Sequence, residues 1–233
     1  MTLSVPERQL GISIDGKSDS ANMNTLTRIG LIICSYFVGC GTMGYYLTRW
    51  RTGQDVRALG SGSVGATNVG RTLGRTGFVI TFVFDFMKGA IIVIAARRMQ
   101  AIPLEMTACM VAVVVGHIWP VQLGFRGGKG IAVSLGVICA YNIEIALILV
   151  FLFVLLYLMS RKFILSGMFT CAIAPLCAVL VGASHAALMA ITLMAVFIIF
   201  AHRQNILEDI SRIRPLRQPE KDSLFLTKKQ AEP

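Results

Sequence analysis

Charge is what this chain of 233 residues has little of. Asp, Glu, Lys and Arg make up 15% of it, against roughly 25% in a soluble globular domain. Acidic residues are the scarcer kind, 12 against 22 Lys and Arg, which leaves a formal net charge of +10 at pH 7. Asp85 is the only aspartate between Asp55 and Asp209, so a metal site of several spaced aspartates is excluded. The six cysteines, Cys34, Cys40, Cys109, Cys139, Cys171 and Cys177, form no Cys-x-x-Cys pair and fall in apolar runs. They read as small buried hydrophobes, which argues against a zinc site or a disulfide framework. The residues five places after His117, His185 and His202 are Gln122, Ala190 and Leu207, so no His-x-x-x-x-Asp pattern exists. The first 28 residues lack the charged segment and apolar core of a cleavable signal.

What is there instead is hydrophobicity in blocks. Apolar residues make up 55% of the chain and the mean hydropathy is +0.70. The expected class is an all-α, polytopic membrane protein with one bundle as its only domain. The blocks predict spans over Ile29–Leu47, Phe78–Ala96, Leu104–Leu123, Ile131–Ala140, Ile145–Met159, Phe163–Val181 and Ala186–Ala201. The run from Ile131 to Met159 is divided because as one helix it would measure about 43 Å, too long for a hydrocarbon core of about 30 Å. The polar "YNIE", Tyr141–Glu144, interrupts it. Residues 1–28 are expected to be a disordered tail, 29–206 the bundle, and 207–233 a basic tail.

Seven spans put the ends on opposite sides. Arg49, Arg51, Arg57, Arg71, Arg75, Arg126, Lys129, Arg161, Lys162 and Arg203 then fall on one side, with Arg97 and Arg98 the main exceptions. The positive-inside bias makes that side cytoplasmic and puts the N-terminus outside. The basic residues lie in loops and near the C-terminal end, so a nucleic-acid partner is not expected. Anionic headgroups and an anionic substrate both account for them.

Four polar segments share the basic side. "GSGSVGATNVGR", Gly60–Arg71, mixes glycines with Ser61, Ser63, Thr67 and Asn68 and ends in Arg71. Glycine lets backbone N–H groups approach an anion closely, and Arg offers a planar fork for phosphate. The loop lacks the Gly-Lys-Ser/Thr of a Walker loop and the preceding strand of a dinucleotide fold. A re-entrant loop whose small residues serve close helix packing explains the same glycines. "FRGGKG" sets Gly127, Gly128 and Gly130 around Lys129; the alternative is a snorkelling lysine at a helix start. "SRKFILSG" contains Ser166, and "HRQN" puts His202 and Asn205 three apart, on one face if the last helix continues through them. His117, close to the end of its span, reads as a polar core residue bonded to a neighbouring helix, with a catalytic role as the alternative. Asp85 and Lys88, three apart inside a span, read as a structural ion pair.

Taken in order, "GSGSVGATNVGR", "GHIWPVQLGFRGGKG" and "HRQNI", separated by apolar spans, resemble the bacterial acyl-phosphate:glycerol-3-phosphate acyltransferases. "LTRWRTGQDVRALGSG" and "DFMKGA" resemble the same family, and the likeness runs from about Gly30 to Arg212. It implies transfer of an acyl chain from acyl phosphate to the 1-hydroxyl of glycerol 3-phosphate. The products would be lysophosphatidic acid and phosphate, in the first step of phospholipid synthesis. The place of action would be the bacterial inner membrane, with the site facing the cytoplasm. Carried over by position, Ser61, Gly62, Thr67, Asn68 and Arg71 belong to the first motif. Gly127, Gly128 and Lys129 belong to the second, with His117 and Pro120 upstream of them. His202, Arg203 and Asn205 belong to the third. His202, Asn205, Lys129 and Arg71 are then the expected catalytic residues, and no cofactor or metal is expected. Ser63 stands where the family usually has Asn, "KFILSGMF" blurs a serine motif, and "LEDISRIRP" lacks a usual Gly-x-Glu.

Such chemistry fits these residue types. Acyl phosphate is already activated, so neither a covalent intermediate nor a strong base is required. The protein must hold two phosphates, align the hydroxyl and stabilise developing charge. Acyl-CoA-dependent acyltransferases are disfavoured by the missing His-x-x-x-x-Asp pattern, and CDP-alcohol phosphotransferases by the missing aspartates. A transporter or flippase for a phosphate-bearing solute or lipid is the alternative from another class. Its site would be expected near the bilayer midplane, whereas the candidate residues cluster at one surface.

Overall fold

The structure, a computed structural model, describes residues 24–204. Among the described residues it is all helical: α1 Thr25–Cys40, α2 Met43–Thr52, α3 Ala66–Arg98, α4 Pro103–Ile118, α5 Ile131–Tyr141, α6 Ile143–Ser160, α7 Phe163–Leu180 and α8 His185–Ala201. Each boundary has a local cause. The Asn24 side chain accepts from the Thr27 amide and starts α1, and Ser184 does the same for α8 through the Ala187 amide. Pro103 opens α4, where Glu105 accepts from the Ile102 amide at 3.0 Å. Asn142 divides α5 from α6 and caps the latter by accepting from the amides of Glu144 and Ile145. The division expected at "YNIE" therefore falls on one residue.

Three expectations need correction. α1 begins at Thr25, ahead of the expected Ile29, and the first apolar run is not one helix. It breaks at Gly41–Thr42 because side chains take the carbonyls that a continuing helix would use. Lys88 donates to Gly39 O and Gly41 O, and Gln122 donates to Cys40 O. The second span, expected from Phe78, begins instead at Ala66, so the polar loop before it ends at Gly65. Ala66 onward is helical, with one non-helical residue, Gly74, whose φ of 73° suits glycine. Finally α4 stops at Ile118, since Pro120 cannot continue it, and Val121–Leu123 forms a single 3₁₀ turn.

Among the described residues, five stretches are long and apolar enough to cross a membrane: Thr25–Thr52, Ala66–Arg98, Pro103–Leu123, Ile143–Ser160 and Phe163–Leu180. α8 and α5 are shorter, at 17 and 11 residues. The outer faces are apolar too, with Phe37, Phe84, Leu147, Phe151 and Leu176 exposed. In lipid such faces need no protein partner.

Between lipid-facing helices association depends on close packing rather than hydrophobic burial. Here it rests on reciprocal glycines. Gly39 of α1 lies against the Val113 carbonyl of α4, and Gly116 of α4 lies against the Tyr36 carbonyl of α1. In the same way Gly89 of α3 meets the Val133 carbonyl of α5, and Gly136 of α5 meets Phe86 O of α3. A Cβ at any of the four would overlap backbone. The main core, including Val93, Met110, Val114, Val137, Ile145 and Met194, joins these pairs to α6, α7 and α8. A smaller core of Leu47, Val56, Val64, Val69 and Leu123 ties the first polar loop to α2 and to the turn after α4.

Candidate active site

The first polar loop is folded around one side chain. Asn68, 1% exposed, accepts from the Ser61 amide at 2.8 Å with Oδ1. Its Nδ2 faces three carbonyls, Leu59 and Ser63 at 2.9 Å and Val56 at 3.2 Å. All its polar atoms are used in closing the loop. Gly60 and Gly62 turn the backbone at φ 53° and 70°. The loop is fastened to its neighbour by Arg57, which donates to Leu123 O at 2.6 Å and lies over the Tyr45 ring. Asp55 pairs with Arg57 at 2.7 Å, and these hydrogen bonds hold the Asp55 carboxyl below its ordinary value despite its burial. Ser61, Gly62, Thr67 and Arg71 are exposed on this scaffold.

The second segment is anchored differently. The amides of Gly127 and Gly128 donate to Ile118 O at 3.1 Å and His117 O at 3.0 Å. They are thus committed to the end of α4. What glycine supplies here is space: a Cβ on Gly127 would overlap His117 O, and one on Gly128 would overlap the His117 ring. On its other edge His117 Nδ1 lies 2.9 Å from Lys88 Nζ, and Lys88 Nζ lies 2.9 Å from Asp85 Oδ1. The expected ion pair is therefore present, and the expected partner of His117 on a neighbouring helix is Lys88.

The third segment closes on the second. His202 follows α8 directly and is 5% exposed. Its Nδ1–H donates to Ile198 O at 2.8 Å, leaving Nε2 as the acceptor of a neutral imidazole. Burial is the main cause that lowers its pKa, to about 4; the backbone hydrogen bond opposes it, and the Lys129 charge lowers it further. Lys129 and His202 are therefore electrostatically coupled. Ile198 of α8 also sits beside Gly130, and Trp119 packs on Phe197 and Phe200. The segment before α7 joins through Ser166, whose hydroxyl is 2.9 Å from that of Ser160, and through Gly167, which faces Ile131.

The polar segments predicted from sequence thus meet at one end of the bundle through Arg57–Leu123, Gly128–His117, Gly130–Ile198 and Gly167–Ile131. Asn205 lies outside the described residues, as does the tail from Leu207. Sequence reasoning missed Arg57 as a fastener. Its only signal was Asp55 two residues before it. It also missed the backbone carbonyls that Lys88 caps, which carry no sequence signal. Among the described residues no group of three or more His, Cys, Asp or Glu could hold a metal.

A model of the family described as "Glycerol-3-phosphate acyltransferase" matches residues 29–211. Glycerol-3-phosphate acyltransferase 1 of Desulfitobacterium hafniense is 37% identical over 183 residues, 78% of this chain and 90% of that protein. A protein of the same name from Bacillus cereus is 37% identical over 173 residues, 74% and 93% of the two chains. Among solved structures, the crystal structure of PlsY (YgiH), an integral membrane glycerol 3-phosphate acyltransferase, in its glycerol 3-phosphate form superposes with a TM-score of 0.76 at 33% identity. It covers 79% of this chain and 92% of that one. The lysophosphatidic acid form of the same protein gives a TM-score of 0.73 at 32% identity.

Proposed function

Since the chain belongs to the glycerol-3-phosphate acyltransferase family, we propose that it transfers an acyl chain from acyl phosphate to the 1-hydroxyl of glycerol 3-phosphate. The products are lysophosphatidic acid and phosphate. Acyl transfer to glycerol 3-phosphate follows from the family and from the glycerol 3-phosphate and lysophosphatidic acid forms of its solved relative. The observation that carries the finer reading is a buried His202 whose ring is oriented by the Ile198 carbonyl, on a helix end that meets the glycine-rich second segment at Gly130.

In this reading Lys129 and Arg71 hold phosphate groups, with Ser61, Gly62 and Thr67 lining the same surface. Asn68, Gly127 and Gly128 build the surface, because their polar atoms or amides are already bonded within the protein. His202 Nε2 accepts a hydrogen bond from the attacking hydroxyl, and Asn205 is the second residue assigned to orienting it. An imidazole with a pKa of about 4 is a weak base at neutral pH. The proton that the hydroxyl directs at Nε2 is passed on to the departing phosphate, the stronger base, so that His202 ends the step neutral. As the C–O bond to glycerol forms and the acyl–phosphate bond breaks, Lys129 and Arg71 stabilise the charge on the leaving group. Seven crossings, an outer N-terminus and a site on the cytoplasmic face of the cell membrane complete the proposal.

Purified protein given glycerol 3-phosphate with either acyl phosphate or acyl-CoA tests the donor. Lysophosphatidic acid should form from acyl phosphate without divalent metal. Formation from acyl-CoA alone, or loss of activity to a chelator, contradicts the reading.

A further inference from the structure

We propose that Lys88 is a positioning residue for this reaction: acting through His117, it sets the place of the Gly127–Lys129 segment and so of the Lys129 ammonium. The inference rests on the reading of Lys129 as a phosphate-binding group. An ammonium has three hydrogens, and Lys88 has three aligned acceptors: Gly39 O at 2.9 Å, Gly41 O at 2.8 Å and His117 Nδ1 at 2.9 Å. Asp85 Oδ1, also at 2.9 Å, balances the charge without an aligned hydrogen bond. The two carbonyl contacts close the end of α1. The third does something else.

By donating to Nδ1, Lys88 leaves the imidazole hydrogen on Nε2 and fixes the direction of the ring. The Nε2 edge of that ring lies against Gly128, so close that no side chain fits. The backbone of the same histidine accepts the Gly128 amide at 3.0 Å. One residue therefore holds the segment by ring and by carbonyl, and Lys129 follows with nothing between. A ring free to turn would let the segment shift, and a misplacement of about 1 Å at a reacting group can lower a rate about 100-fold. A lysine needed only to close α1 would not require a histidine seated on a glycine that carries the phosphate-binding cation.

The test is a set of double-variant cycles in purified protein, with glycerol 3-phosphate and acyl phosphate varied separately. Lys88→Met, Gly128→Ala and Lys129→Ala are measured singly, and the first two are each combined with the third. Lys88→Met and Gly128→Ala should raise KM about 10-fold for the same substrate that Lys129→Ala affects, with a smaller change in kcat. In the Lys129→Ala background each should add less than about threefold, because residues acting through one group are not additive. Lys88→Arg should restore part of the loss.

Full multiplication of the two effects, with Lys129→Ala itself impaired, overturns the inference and leaves the Lys129 reading standing. A loss of thermal stability with KM unchanged also overturns it. Parent-like KM values in Lys129→Ala sink the phosphate-binding reading and the inference together. If Lys88→Met does not fold, Lys88→Arg carries the cycle with Lys129→Ala, since it keeps a cation against the α1 carbonyls while changing the contact with His117 Nδ1.

Discussion

At the scale of single residues, His202 is the informative one. Its folded pKa of about 4 lies below the ordinary 6.5, so between those values the unfolded chain binds the proton more readily than the folded one. Its contribution to stability is complete above about pH 6.5 and is lost as pH falls toward 4. The chain has three histidines, so histidine labelled with nitrogen-15 should resolve His202 as a neutral Nδ1–H tautomer at pH 6. An imidazolium signal there would remove its role as hydroxyl acceptor. The cations make a separate prediction. A hydrogen bond to a charged group is worth about 1.5–3 kcal/mol, so Arg71→Ala or Lys129→Ala should lower kcat/KM by roughly 10- to 100-fold. Arg71→Lys should recover only part, because an ammonium cannot reproduce the two-pronged contact. Near-normal turnover in either alanine variant would contradict the phosphate assignment. Asn68→Asp should fail like Asn68→Ala, since a carboxylate cannot donate to the three carbonyls that Nδ2 faces. The kinetics should track loss of the folded loop, read as faster proteolysis at residues 58–65.

Helices in this molecule are held together by absence of side chains. The Gly39–Gly116 pair brings α1 onto α4, and Gly89–Gly136 brings α3 onto α5. Gly136→Val would push the α3 and α5 backbones apart, and overpacking of this kind costs about 1–3 kcal/mol or more. A lower midpoint of thermal unfolding in detergent, with Gly30→Ala as an unaffected control because Gly30 faces open space, is the expected result. An unchanged midpoint would show that the contact is not tight. This scale also shows what could be read in advance and what could not. Apolar blocks marked α3, α6 and α7 because hydrophobicity is a local property, and Asn142 was visible as a polar break. The break at Gly41 was not, because its cause is Lys88 and Gln122, distant in sequence. The glycines of "FRGGKG" read in sequence as a cradle for an anion, but the amides of Gly127 and Gly128 serve the end of α4. The spacing of glycines shows that backbone comes close to something, not to what.

For the whole molecule the open question is which way the bundle faces, and the fold itself decides how to ask it. The positive charge of Arg57, Arg71, Arg126 and Lys129 is the ground for proposing that their end is cytoplasmic, and the contacts from Arg57 to Leu123 and from Gly128 to His117 bring the two glycine-rich segments to one end. They must therefore share a side. Single cysteines in a cysteine-free background test this with impermeant thiol reagents. Gly128 is unsuitable, since any side chain there meets the His117 ring, whereas Ser61 and Arg126 are exposed at that end and Met99 is exposed at the turn between α3 and α4. Ser61→Cys and Arg126→Cys should react only from the cytoplasmic side, and Met99→Cys only from outside. Ser61 and Arg126 labelling from opposite sides would mean that the two glycine-rich segments do not share a surface in the membrane, and the site would fall with them. Both labelling from outside would keep the site and reverse the bundle. Acyl phosphate and glycerol 3-phosphate would then have to be supplied from the outer side, contrary to the charge distribution of the loops.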